Sequence, residues 1–182
     1  MSREATIEDL YRFRGEGKAE LVDGKIVHLG PVGAMYGRAA GSVAFSLGMF
    51  RQKTGASGQP FLSTVAFLCD LPHRKSISPD ASWYTGPRSG AEFPPTVPAF
   101  ACEVRSNDDH SEETESKIAA KCSDYFAAGT EVVWDVDLHS DYVVRVFRKD
   151  APNNPTIYRR GEIAEAEPAV PGWKMPVDEM FD

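Results

Sequence analysis

Residues 97–109 read VPAFACEVRSNDD, and this stretch decides the fold. Phe100, Cys102 and Val104 alternate on one side, Ala101, Glu103 and Arg105 on the other, which is the period of a β-strand. Both sides are apolar except for one carboxylate and one guanidinium, so the strand is buried on both faces and Glu103 needs a partner. An unpaired buried charge is costly enough that it finds a counter-ion, finds a metal, or neutralises.

Working outward, Ser111 to Ala128 reads as a helix ended by Gly129, and EVVWDVD (131–137) as a further strand. A polar turn at 139–141, the run YVVRVFRK, a turn at Pro152-Asn153-Asn154 and TIYRR follow. Upstream, Thr6-Ile-Glu-Asp9 resembles a capping box and opens a short helix through about Arg14. AELVDGKIVHL (19–29) is two strands around Asp23-Gly24, a strong hairpin signal. Residues 34–53 form a long helix with Tyr36, Ala40, Val43, Leu47 and Phe50 on one stripe. Gly37, Gly41 and Gly48 weaken that helix, and close approach to a sheet explains them. PFLSTVAFLCD (60–70) reads as one strand, SISPDASWYT (76–85) leads into another, and 86–97 is a Gly/Pro-rich loop. The tail AVPGWKMPVDEMF (169–181) reads as a docked final segment.

The fold class is therefore mixed α/β (α+β): a mixed central β-sheet flanked by helices, with an N-terminal hairpin and a C-terminal meander. The 182 residues suit a single domain, 1–182, with a sizeable core. No apolar run reaches the length that spans a bilayer, and no secretory signal opens the chain, so a cytoplasmic protein is expected. Cys69, Cys102 and Cys122 lie far apart without a C-x-x-C, which argues for reduced buried thiols over zinc or disulfides. The four histidines lack metal-ligand spacing, and no Walker or G-x-S-x-G pattern is present.

Net charge is −7, which weighs against nucleic acid as a partner, but the acids are unevenly spread. Residues 162–182 hold six acids against Lys174, and residues 107–124 hold six against two lysines, leaving the remainder slightly basic. Small basic groups at 51–53, 73–75, 145–149 and 159–160 allow a basic groove.

The acids at strand positions carry the chemistry. Glu20 sits in the hairpin, Asp80 follows Pro79 beside the ASWY strand, and Glu103 sits in the most apolar strand. Carboxylates from adjacent strands form an oxygen site for a hard cation such as Mg²⁺, which also answers the question Glu103 poses. Arg105, two residues on, shares the face of Glu103. Lys121 falls at the edge of the apolar stripe Ile118, Cys122, Tyr125 and Phe126, from where its ammonium reaches toward the strand ends; Lys117 lies further toward solvent. Each residue also has a plain structural role open to it. Pro79-Asp80 is a turn signal, Glu103 pairs with Arg105, Glu20 sits on a solvated edge, Lys121 pairs with Asp124, and Asp135 and Asp137 form a polar strand-end face.

Pro79-Asp80 followed by Glu103-Val104-Arg105 resembles the PD-(D/E)XK nuclease motif. More closely, the ordered set AELVDGKIV, SPDASW, FACEVRSNDD, KCSDYFAAGTEVVWDVD and PGWKMPVDEMF resembles the bacterial Uma-type restriction endonucleases within that superfamily. The resemblance implies a restriction-endonuclease-like core and hydrolysis of DNA phosphodiester bonds with Mg²⁺ or Mn²⁺. It implies Glu20, Asp80 and Glu103 as metal ligands, and Lys121 as the lysine this group carries on the helix. Arg105 occupies the superfamily's usual lysine position and would contact phosphate, although arginine cannot serve as a base. Tyr36 stands where the group often has a histidine. Many nucleases that cut both strands act as symmetric pairs, and by that analogy alone a homodimer is one option, with the oligomeric state left open. A catalytically silent nuclease-fold protein that binds nucleic acid or a protein partner is the alternative reading, and a structural or dimerisation module a third.

Overall fold

The structure is a computed structural model and describes residues 3–13, 17–106 and 110–182. In chain order the elements are α1 (Ile7–Arg12), β1 (Lys18–Val22), β2 (Lys25–Leu29), α2 (Ala34–Thr54), β3 (Gln59–Leu62), β4 (Phe67–Leu68), β5 (Ser76–Ile77), β6 (Ala81–Tyr84) and β7 (Phe100–Val104). They continue with α3 (Glu112–Ala128), β8 (Val132–Val136), β9 (Val144–Arg148), β10 (Ala151–Tyr158), β11 (Ile163–Glu165), β12 (Lys174–Pro176) and a 3₁₀ turn (Val177–Met180).

The centre is a six-stranded mixed sheet in the order β10-β9-β8-β7-β6-β3. Only β7 and β8 run parallel, and α3 is the crossover between them. The alternation of 100–105 sets the layers. Phe100, Cys102 and Val104 pack with Ala40, Val43 and Leu47 of α2 on one face, and Ala101 packs with Cys122, Tyr125 and Phe126 of α3 on the other. Glu103 and Arg105 thus look at α3. Ser111 caps that helix through the Thr114 N–H, and the Gly129 N–H closes it on Tyr125 and Phe126 carbonyls.

The β1–β2 hairpin turns at Asp23 and Gly24, both with positive φ (+49° and +66°), as its two-residue loop requires. Thr6 and Asp9 form the expected capping box of α1. Ala19 and Leu21 of β1 pack toward Leu10 of that helix, which leaves Lys18 and Glu20 facing the opposite way.

Three expectations are corrected. Gly41 of α2 faces open space, with no heavy atom within 4 Å of where a Cβ would stand, so sheet approach does not explain it. The close approach is instead at Gly58, where a Cβ would lie 2.2 Å from Trp83 Nε1. The segment 60–70 is two strands, β3 and β4, broken by a turn at Ser63-Thr64. The reversal between β9 and β10 falls at Lys149-Asp150, and Pro152–Asn154 lie in a bulge of β10, an edge strand where proline forfeits no ladder bond. α1 ends at Arg12 with Phe13 as its C-cap; Arg14 and the acids Asp108 and Asp109 lie outside the described residues.

The tail docks as expected. Trp173, Met175, Val177 and Met180 are buried in the α2-side core, and Trp173 stacks on Trp134. All three cysteines are free; Cys102 and Cys122 are buried, and burial pushes the Cys122 thiol up to about 12. No helix among the described residues is long and apolar enough to cross a membrane.

Candidate active site

Asp80 enters β6 directly after Pro79, and the register of β6 on β7 sets it across from Glu103. Asp80 Oδ2 accepts from the Val104 N–H at 2.8 Å, which fixes the carboxylate at the C-terminal end of β7. Glu103 Oε1 accepts from the Tyr125 hydroxyl at 2.5 Å and from Lys121 Nζ at 2.9 Å, both reaching down from α3. Lys121 sits one turn before Tyr125, so one helical face delivers both donors. The second oxygen, Oε2, stays turned toward the hairpin.

The hairpin supplies the rest. Lys18 Nζ lies 2.7 Å from Asp80 Oδ1, 2.9 Å from the Ser78 carbonyl oxygen and 3.8 Å from Glu103 Oε2. Glu20, two residues on, is also drawn into the site, but its oxygens go elsewhere. Oε1 accepts from the Ser78 N–H and lies 3.2 Å from Lys121 Nζ, while Oε2 meets Arg74 Nη1 at 2.5 Å. Arg74 also binds Asp124 of α3 at 2.7 Å, tying hairpin to helix.

The three acids expected around one cation are divided among different partners. Among the described residues, no three Asp, Glu, His or Cys side chains gather to hold a metal ion. Asp80 and Glu103 face a common cation, Lys18; Glu20 is neutralised by Arg74 and braces Lys121. The fit of a hard cation rests on what Lys18 displays, an ammonium seated among three oxygens from Asp80, Ser78 and Glu103. An all-oxygen donor set of that kind suits Mg²⁺ or Mn²⁺.

The electrostatics follow the contacts. Burial pushes the Asp80 carboxyl above its ordinary value and the Glu103 charge adds to the rise, with Lys18 pulling against both. Burial acts to raise Glu103 as well, but the ammoniums of Lys121 and Lys18 outweigh it and hold that carboxyl low. Burial would lower Lys121, yet Glu103 and Glu20 outweigh that and keep it firmly protonated.

Arg105 departs from its expected role. It does not pair with Glu103. Its Nε and Nη2 grip both oxygens of Asp135 at 2.9 Å, and Nη1 meets Glu115 at 2.5 Å. With both edges of the guanidinium occupied and the side chain 7% exposed, it clasps α3 to β8 and offers no edge to a phosphate. Asp135 is likewise no strand-end residue: it is buried in β8, directly beside Glu103 in register, and Arg145 binds it from β9. Burial pushes its carboxyl up to about 6, with Arg105 pulling the other way. Lys117 pairs with Glu113 at the surface, and Tyr36 hydrogen-bonds His139.

Lys18, Arg74 and Tyr125 are the site residues that strand and helix patterns alone did not single out. Lys18 carried a signal, since it precedes Glu20 by two and shares its face. Arg74 sits in a loop and carried none. Several residues of the basic groups are neutralised within the chain: Arg74 by Glu20 and Asp124, Arg145 by Asp135 and Glu115, Arg148 by Glu165 and Arg160 by Asp178. A basic groove does not follow from them.

Comparison with known proteins now decides the family. The family model Uma2, described as "Putative restriction endonuclease", matches residues 5–178. The chain belongs to the Uma2 family. A crystal structure described as "a putative nuclease belonging to DUF820 from Anabaena variabilis" aligns at TM-score 0.70 and 18% identity, over 97% of each chain. At that identity it shows that this Uma2 chain shares the neighbour's fold. No curated protein matches.

The Tyr125 hydroxyl is an expected contributor to this Uma2 site. Tyr125→Phe removes a hydrogen bond to a charged carboxylate and is expected to lower stability by about 1.5–2 kcal/mol, read by urea denaturation. A loss below about 0.5 kcal/mol would mean that Lys121 alone orients Glu103.

Proposed function

We propose that this Uma2 protein is a Mg²⁺- or Mn²⁺-dependent endonuclease that hydrolyses DNA phosphodiester bonds. The observation that carries the reading is the convergence of Asp80 and Glu103 on one cation position, with the protonated Lys121 beside it. Family membership supports the nuclease class. A divalent cation held by Asp80 and Glu103 would offset charge on a phosphoryl oxygen and make nearby water more acidic.

The chain's own groups do the remaining work. Lys121, ion-paired to Glu103 at 2.9 Å and to Glu20 at 3.2 Å, is placed as a donor that orients the attacking water or stabilises charge developing on phosphate. Tyr125 holds Glu103 so that Oε2 remains available to the cation. Glu20 and Arg74 hold Lys121 and α3 in register with the strand ends. Water forms a new P–O bond and gives up its proton to solvent, while the P–O bond to one sugar oxygen breaks and that oxygen takes a proton from solvent, leaving a phosphate monoester and a hydroxyl.

The test is nicking of supercoiled plasmid. Mn²⁺ is expected to support it and chelator to abolish it. Lys121→Met is expected to slow it about a hundredfold, the scale for losing one charged transition-state donor. Nicking that is indifferent to Lys121 would overturn this assignment. The alternative, a silent nuclease-fold module that binds nucleic acid or a protein partner, has one observation in its favour: Lys18 already satisfies both acids. Under that reading neither Mg²⁺ nor Mn²⁺ binds at millimolar concentration.

A further inference from the structure

We propose that Lys18 is a built-in competitor for the divalent cation, its ammonium occupying the place between Asp80 and Glu103 and swinging out when metal binds. The inference rests on the reading of those two acids as cation ligands and adds a displacement step made by the chain itself.

Three observations carry it. Lys18 Nζ donates to oxygens of Asp80 and Ser78 and faces Glu103 Oε2 at 3.8 Å, an oxygen environment of the kind a hard cation takes. Its side chain is only 13% exposed and that of Asp80 15%, so the contact is sheltered from screening water. The charges are also close to balance: Glu20, Asp80, Glu103 and Asp124 stand against Lys18, Lys121 and Arg74, one negative charge in excess. A divalent ion entering that cluster leaves an excess of positive charge unless a resident cation withdraws.

Lys18 is the cation placed to withdraw. Lys121 is pinned from mid-helix by Glu103 and Glu20, and Arg74 is shared between Glu20 and Asp124. Lys18 opens β1 at the free end of the hairpin, next to Gly17, whose φ of +84° marks a bend in the chain. Its long aliphatic stem lets the ammonium leave without moving the strand. Without metal, the same lysine keeps the two carboxylates from repelling each other.

The experiment is calorimetric titration of the full chain with MnCl₂, comparing wild type with Lys18→Met. The variant is expected to bind Mn²⁺ about tenfold more tightly or better, because one resident positive charge is gone. A second measurement uses the wild type only. Amine acetylation followed by peptide mass spectrometry is expected to label Lys18 several-fold faster once Mn²⁺ saturates the site, with Lys121 unchanged. Equal or weaker Mn²⁺ binding by the variant, or Lys18 labelling that is unchanged or slowed by saturating Mn²⁺, overturns the competitor role and leaves the cation site standing. Absence of Mn²⁺ binding by both proteins at millimolar concentration overturns the cation site and this inference together.

Discussion

Replacing Asp80 by alanine is expected to lower Mn²⁺-dependent plasmid nicking about a thousandfold, to the background of the assay. That factor corresponds to about 4 kcal/mol, the scale of cation stabilisation at a phosphoryl oxygen. Asp80 contributes one of the two carboxylates facing the shared cation position, so its loss leaves Glu103 as the sole anionic ligand there. The alanine variant also strips the Val104 N–H of its acceptor, which disturbs the end of β7. Asp80→Asn separates the two effects. Its amide oxygen still accepts from Val104, while the charge that holds a divalent ion is gone. The asparagine variant loses the ion pair with Lys18, so it is expected to unfold somewhat below the wild-type temperature, to stay folded at the assay temperature and still to fail to nick. Nicking within tenfold of wild type by a folded Asp80→Asn protein would remove Asp80 from the chemistry.

The second large effect is on stability. Trp173→Ala is expected to cost about 3–5 kcal/mol, a substantial part of the stability of an ordinary domain. Trp173 is 1% exposed and stacks on Trp134, with centroids 5.0 Å apart and planes 28° from parallel. It also tilts against Phe100, and its indole N–H donates to Ser46 of α2 at 3.1 Å. The variant opens a cavity between sheet, helix and tail at once. Urea denaturation followed by tryptophan fluorescence and circular dichroism reads the loss. A change under 1 kcal/mol would mean that the β11–β12 tail is an appendage rather than part of the core.

Much of the site was readable because its carriers are regular. Glu103 declared itself by sitting on a strand buried on both faces, and helical phase alone put Lys121 at the rim of α3 where it meets Glu103. What escaped depends on strand order. Asp135 looked like a strand-end acid until β7 and β8 proved parallel in register, with Arg105 and Arg145 beside it. Glu20 was expected on the metal; Arg74, arriving from a loop 54 positions away, claims it instead. Contacts across that separation leave no periodic trace. Pro152 and Asn153 carry honest turn chemistry, yet an edge strand accommodates them as a bulge. The glycines of α2 show the reverse case, a compositional oddity for which sheet contact supplied a reason that the packing at Gly41 does not uphold.

The account stands on two carboxylates sharing one cation, and an Mn²⁺-soaked crystal tests that most directly through anomalous scattering. The expected result is a peak bridging Asp80 and Glu103, with the Lys18 ammonium displaced from between them. No peak there at millimolar Mn²⁺, with Lys18 still bound to Asp80, would contradict it.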